Sequence, residues 1–269
     1  MVVAVEGSAD KTVSRSTHSA ELKSRPSVVR LRQVLSAMGT HLNIHVLKLR
    51  VSNAYLLAGD RPILVDTGAP NDTELIRSRL RDISVELSDI ALIVHTHVHS
   101  DHMGSTAEIV AEAKCPIAYH PDDQVIVDRS DNGLLKGIGF RGKVMSHIFS
   151  DAKFNAVNAD ISLHDGMSLL DYGCNATIVA TPGHTAGSIS IVTPEGDAII
   201  GDVIMGGYMG GNIWPTRPNY HYFADDIEQA MKSLDTLLSR TKRTLYVGHG
   251  GPLLQTSVRT WRKRHRTTG

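Results

Sequence analysis

Four side chains able to bind a metal ion fall within the six positions from His97 to His102, in the segment Thr96-His97-Val98-His99-Ser100-Asp101-His102. Imidazole nitrogen and carboxylate oxygen are donors that hold zinc and its first-row neighbours. An ion so held acidifies a bound water and polarises a carbonyl or phosphoryl oxygen. In an extended segment residues two apart project to the same side, so His97 and His99 can share one ion. The chain must then turn into a helix, which swings Asp101 and His102 toward a neighbouring position. A single histidine at a strand end is ordinarily just a satisfied polar residue, whereas this pattern arises by chance in roughly one sequence in a few hundred of this composition.

Three further features fall where an apolar strand stops. Thr181-Pro182-Gly183-His184-Thr185 puts a histidine on a tight turn after Ala180, Gly201-Asp202 follows Ala198-Ile199-Ile200, and Gly248-His249-Gly250 follows Leu245-Tyr246-Val247. A rigid sheet holds a ligand best at such a junction. Taken singly, Gly-Asp is an ordinary turn and Gly-His-Gly a flexible connection; with the histidine cluster they complete a site.

The elements that must position these residues alternate in blocks. Residues 46–51, 54–58 and 62–66 read as a strand meander with a Gly59-Asp60 turn. Asp72 is placed to cap a helix carrying Leu75, Ile76 and Leu80 at helical spacing. A buried strand over residues 90–94 runs into the histidine cluster, followed by a helix over 105–113 and a strand over 116–119. Residues 130–159, with Gly133, Gly137, Gly139 and Gly142, read as irregular, a lid or a surface insertion. Strands are expected over 161–163, 177–180, 188–192, 198–200 and 244–247, a Gly-rich loop over 206–211 and a helix over 224–239. Helices covering a pair of packed sheets fit this order. Residues 1–27, polar and without periodicity, read as a mobile arm that a partner subunit of a homo-oligomer could order; residues 28–258 form the domain and residues 259–269 a basic tail.

Composition sets the bounds. The chain has 269 residues, 41% hydrophobic and 21% charged, an ordinary globular balance, and its 28 Lys plus Arg offset 28 Asp plus Glu, so no global field points to nucleic acid or membrane. No apolar run reaches the length of a membrane span and the first residues lack the pattern of a secretory signal, so a cytoplasmic location is expected. Two cysteines are too few for a disulfide framework, whereas histidine, at 14 copies against 4 Phe and 2 Trp, is abundant.

In order and spacing, five motifs resemble the metallo-β-lactamase superfamily over roughly residues 44–255: Val65-Asp66-Thr67-Gly68, the His97–His102 cluster, His184, Asp202 and His249. Ser105 stands where the family often has glycine. The resemblance implies a four-layer αββα sandwich of the α/β class with two divalent metal ions at one edge of the sheets. His97, His99 and His184 would hold the first ion, Asp101, His102 and His249 the second, Asp202 would bridge them, and Asp66 would orient the site without binding metal. Such a pair supplies a bridging hydroxide near neutral pH, and Asp101 would shuttle the proton. The nitrogen and oxygen donors suit zinc, and iron or manganese would also fit.

Within that family the bridging position of true β-lactamases is usually Cys or Ser. Asp202 therefore resembles the glyoxalase II and lactonase branches, and β-lactam hydrolysis would be at most a side activity. One lactonase group has a tyrosine where Met205 stands; Tyr208, His221 or Tyr222 could substitute for it. Between Gly206 and Tyr222 the only cation besides His221 is Arg217, with Tyr208, Met209, Trp214, Tyr220 and Tyr222 supplying amphipathic surface. That suits a small-molecule substrate, an ester, lactone or thioester, with Arg217 meeting one anionic group, better than a nucleic acid. The alternatives are a phosphodiesterase or nuclease of the same fold, in which Arg262-Lys263-Arg264-His265-Arg266 could touch phosphates, and an iron-dependent sulfur dioxygenase with one iron.

Overall fold

Residues 42–265 are described by a computed structural model and lie within one unit of the chain, Thr40–Gly269. The arm expected over residues 1–27, and the start of the domain as far as residue 41, lie outside the described residues. Six strands form the first sheet in sequence order: β1 (Asn43–Lys48), β2 (Asn53–Ala58), β3 (Ile63–Val65), β4 (Leu92–Val94), β5 (Ile117–Tyr119) and β6 (Ile161–Ser162). β1, β2 and β3 pair antiparallel, and β3 through β6 pair parallel, Val65 opposite Val94 and Val94 opposite Ala118. The second sheet holds β7 (Thr177–Ala180), β8 (Ile189–Val192), β9 (Ala198–Ile199), β12 (Thr244–Tyr246) and β13 (Leu253–Leu254), in the order β13-β12-β9-β8-β7. β10 (Met205–Tyr208) and β11 (Ile213–Asn219) form a separate hairpin.

Side-chain alternation builds the layers, because neighbouring residues on a strand face opposite sides. Tyr55, Leu57, Ile63, Val65, Leu92 and Val94 of the first sheet meet Ile178, Ile189, Ile191 and Ile199 of the second in one buried cluster. Their neighbours Leu56, Leu64 and Ile93 point the other way, against Ile76 and Leu80 of α1 (Thr73–Asp82) and Ile109 of α3 (Thr106–Ala113). On the far side Val179, Ala198, Ile200 and Leu245 pack on Ala230, Leu234 and Leu237 of α6 (Ile227–Arg240) and on Val258 of α7 (Gln255–Arg264). Helices, sheet, sheet and helices make the expected four-layer αββα sandwich. Short helices α2 (Ser100–Met103) and α4 (Gln124–Arg129), and the longer α5 (Gly139–Phe149), lie on the connections of the first half. Cys115 and Cys174 are both buried and unbridged.

Several expectations change. Residues 130–159 are not irregular throughout, since α5 occupies their middle. Gly142 sits on that helix because a Cβ there would stand 2.3 Å from the Tyr222 carbonyl oxygen, a backbone approach that only glycine permits. The expected Gly-rich loop at 206–211 begins as strand β10, with Gly206 opposite Pro218. Asp72 is the N-cap residue of α1, and its carbonyl accepts the Ile76 N–H (2.9 Å), but its side chain makes no capping bond: the carboxylate accepts from the Ala69 N–H (2.9 Å) and from Arg50 Nε (2.6 Å). The Ser105 hydroxyl accepts the Asp72 N–H (2.8 Å) and donates to the Ala69 carbonyl (2.7 Å), so the departure from glycine knits the loop before α1 to the start of α3. The boundary expected at residue 258 falls inside α7, whose Arg262 pairs with Asp235 at 2.8 Å and whose Val258 is fully buried. Among the described residues no helix is long and apolar enough to cross a membrane.

Candidate metal centre

The ligand-type residues all follow strand ends on one edge of the sandwich. β3 leads to Asp66 and β4 to His95–His99; β7 leads to His184, β9 to Asp202 and β12 to His249, so both sheets contribute. The chain turns at His99, which stands immediately before α2, and this turn carries Asp101 and His102 onto the first helical turn. Three groups have donor atoms within 4.8 Å of one another: His97, His99 and His184; His97, His102 and Asp202; Asp101, His102 and His249. A fourth contains His184, Asp202 and His221. His99 Nδ1 lies 3.0 Å from His184 Nε2, and Asp101 Oδ2 lies 3.2 Å from His249 Nε2. Around Asp202 Oδ2 stand the Nε2 atoms of His221 (3.2 Å), His249 (3.3 Å), His102 (3.4 Å), His184 (3.6 Å) and His97 (3.8 Å).

The rings are held from behind. Thr96 Oγ1 donates to Asp66 Oδ2 at 2.8 Å, so its lone pair accepts from His97 Nδ1 at 3.1 Å. His102 Nδ1 donates to Asp66 Oδ2 (2.9 Å), His184 Nδ1 to the Phe223 carbonyl (2.9 Å) and His249 Nδ1 to the Val51 carbonyl (3.0 Å). With their Nδ1 protons engaged, these imidazoles turn Nε2 lone pairs inward. His97 Nε2, His102 Nε2 and Asp202 Oδ1 are buried without a hydrogen-bond partner. Buried orphaned acceptors of this kind, around a carboxylate oxygen that can accept only two or three hydrogen bonds, fit divalent cations.

Electrostatics agree. Burial, joined by the neighbouring imidazoles, pushes His97 and His184 well below the usual histidine range, and burial takes His99 down to about 4. Burial also opposes charge on His102 and His249, but Asp202 and Asp101 outweigh it, raising His102 well above its usual value and His249 to about 10. The same histidines hold Asp101 and Asp202 below the carboxylate range despite burial.

Sequence reasoning missed Asp123. Its buried carboxylate accepts from the Val98 N–H (3.0 Å) and Thr185 Oγ1 (3.0 Å) through one oxygen and from the Gly187 N–H (2.8 Å) through the other, tying the His97–His102 loop to the His184 loop. Burial pushes this carboxyl up to about 6 against the pull of its donors. Asn132 was missed as well: its side-chain oxygen takes the Ser100 N–H at 2.7 Å, at the start of α2. Pro121-Asp122-Asp123 carries no signal beyond that of a turn.

A cavity of about 200 Å³ opens over His99, Asp101, Asp202 and His249, walled by Val51, Leu135, Met145, Phe149, Met205 and Tyr222. Of the expected substrate-loop residues, His221 and Tyr222 line it. Tyr208 and Trp214 instead meet edge to face at 6.1 Å. Arg217 does not reach the centre: it lies over the Trp214 ring at 5.7 Å and lines a different cavity with Trp261 and Arg264, because the hairpin carries it away toward α7.

The sandwich gathers imidazoles and carboxylates from both sheets at one edge, a donor set able to hold divalent ions. The family model of the Metallo-beta-lactamase superfamily matches residues 47–249, and the chain belongs to that superfamily. It is 32% identical over 204 residues to the probable metallo-hydrolase MJ0888 of Methanocaldococcus jannaschii, covering 74% of this chain and 87% of that one. It is 31% identical over 208 residues to the beta-lactamase-like protein 2 homolog of Caenorhabditis elegans, covering 75% of this chain but only 57% of the worm protein. The metallo-beta-lactamase family protein TTHA1429 of Thermus thermophilus shares the fold, with a TM-score of 0.59 at 19% identity over 83% of this chain and 79% of that one.

Proposed function

We propose that the chain hydrolyses a small acyl substrate, an ester, lactone or thioester, with two divalent ions, zinc by the character of the donors. His97, His99 and His184 would hold one, Asp101, His102 and His249 the other, and Asp202 would stand between them. When bound, such ions supply Lewis acidity and a water acidified toward neutrality. The chain's own residues do the rest. Asp66 fixes His102, the Phe223 and Val51 carbonyls fix His184 and His249, and Asp101, whose side chain is 26% exposed at the cavity floor, is placed to carry a proton to the leaving group.

The observation that carries the acyl reading is the wall of the cavity. Leu135, Met145, Phe149, Met205 and Tyr222 line it, and among the described residues no lysine or arginine does. Such a wall excludes water and accepts an acyl group, whereas successive phosphates call for cations. A phosphodiester is the second reading, favoured by Arg129 and Lys136 in a neighbouring cavity of about 240 Å³ that also touches His99 and His184. The test is kcat/KM on p-nitrophenyl acyl esters, acyl thioesters and lactones beside bis(p-nitrophenyl) phosphate and single-stranded RNA. The acyl series is expected to lead; faster cleavage of either phosphodiester than of every acyl substrate reverses the assignment.

A further inference from the structure

We propose that His221 is itself a metal ligand, an imidazole added to the seven residues that the family resemblance supplies. The inference rests on the metal-centre reading above and extends it to a residue on the segment between β11 and α6. His221 is 7% exposed, and its Nε2 lies 3.2 Å from Asp202 Oδ2, the shortest of the five imidazole approaches to that oxygen. Its ring centroid is 4.6 Å from that of His184 and 5.3 Å from that of His249. Two donors bound to one zinc at about 2.0–2.1 Å in a tetrahedral arrangement lie about 3.3 Å apart. The separation of His221 from Asp202 matches that spacing.

Its orientation matches that of the other histidines. The Phe223 carbonyl oxygen, which takes the His184 Nδ1 proton at 2.9 Å, lies 3.1 Å from His221 Nδ1. One carbonyl with two lone pairs thus aligns two rings, and metal-bound histidines characteristically donate their outer N–H to such a group. With Nδ1 protonated, the His221 Nε2 lone pair faces the Asp202 carboxylate. Two electron-rich atoms at that distance in a buried site repel unless a cation lies between them. The competing arrangement is equally definite. The Phe223 N–H also lies 3.2 Å from His221 Nδ1, and if it donates there, Nε2–H becomes a hydrogen-bond donor to Asp202.

Substitution separates the two. His221→Ala removes both a ligand and a donor; His221→Gln keeps an N–H able to reach Asp202 but is a poor zinc ligand. Binding of Zn(II) in competition with a chromophoric chelator and the visible spectrum of the Co(II)-loaded protein are read for both variants, with His184→Ala as a control and far-ultraviolet circular dichroism to verify folding. Both His221 variants are expected to bind one ion about 10-fold or more weakly and to show an altered cobalt spectrum. Wild-type affinity and spectrum in His221→Gln make His221 a hydrogen-bond donor and overturn the proposal, as does wild-type behaviour in His221→Ala. If His184→Ala also binds as wild type, the metal-centre reading itself fails, an outcome distinct from failure at His221 alone.

Discussion

Asp66 acts on the candidate centre through hydrogen bonds and through its charge beside His102. Its carboxylate accepts the Thr96 N–H and Thr96 Oγ1–H at 2.8 Å each and the His102 Nδ1 proton at 2.9 Å, so it holds the strand end and one ligand together. An amide at that position has one acceptor oxygen for three donors and presents N–H groups to one of them. Asp66→Asn is therefore expected to weaken metal binding about 10- to 100-fold, with the fold kept as judged by circular dichroism. Unchanged affinity in a chelator competition would remove Asp66 from the support of the centre. At this scale the sequence was informative wherever ligand-type side chains cluster or punctuate strand ends, as His97 to His102, His184, Asp202 and His249 do, since the fold brings them together. It was silent on Asp123, because a carboxylate that accepts from Val98, Thr185 and Gly187 is defined by chain segments far apart in sequence. His221 lay between the two: its position near the site was legible, but its 3.2 Å approach to Asp202 was not. Arg217 failed because a cation in the right stretch of sequence points off the wrong side of a hairpin.

Helix α5 is one of the elements that the sequence concealed. Glycines at 137, 139 and 142 look like breakers, yet Gly142 allows the Tyr222 carbonyl to approach the helix backbone, and Gly137 lies against Gly142 itself. The strands were easier to read, since alternating apolar faces such as Leu56 against Leu57 and Ile93 against Val94 follow directly from the double burial of a sandwich sheet. Docked through its glycines, α5 places Met145 and Phe149 in the cavity wall, while Phe140, Val144 and Ile148 stay largely exposed. If the cavity holds an acyl chain, each buried methylene contributes about 0.8 kcal/mol, so kcat/KM should climb roughly 3- to 4-fold per carbon until the wall is filled. Phe149→Ala is expected to flatten that climb across a series from acetyl to hexanoyl esters while changing the acetyl rate little. An unchanged slope would place the acyl group elsewhere.

Across the whole molecule the centre is also a seam. The first sheet supplies His97, His99, Asp101 and His102 and the second supplies His184, Asp202 and His249, while Asn53 and Tyr55 of β2 bind the Val247 carbonyl at 2.9 and 2.6 Å beside the seam. An ion held there would bind the folded chain and not the unfolded one, so a thousandfold excess over Kd would add about 4 kcal/mol to stability per ion. For a chain of this size that corresponds to roughly 10 °C in Tm for each ion. Removing metal with a chelator should therefore lower Tm by at least that amount. Its pH dependence follows from His249, whose folded value is raised to about 10 because Asp202 and Asp101 outweigh its burial. In the metal-free protein the stability from this proton is fully present below the unfolded histidine value of about 6.5 and is lost as pH rises through the folded value. A metal ion must displace the same proton, so its apparent affinity should rise with pH from neutrality to about 10, with protons released on loading. Calorimetric titration of Zn(II) into metal-free protein at pH 7 and pH 8.5, in buffers of different ionisation enthalpy, measures both. A Tm indifferent to chelation, together with no proton release at either pH, would mean that the cluster keeps its protons and takes no ion.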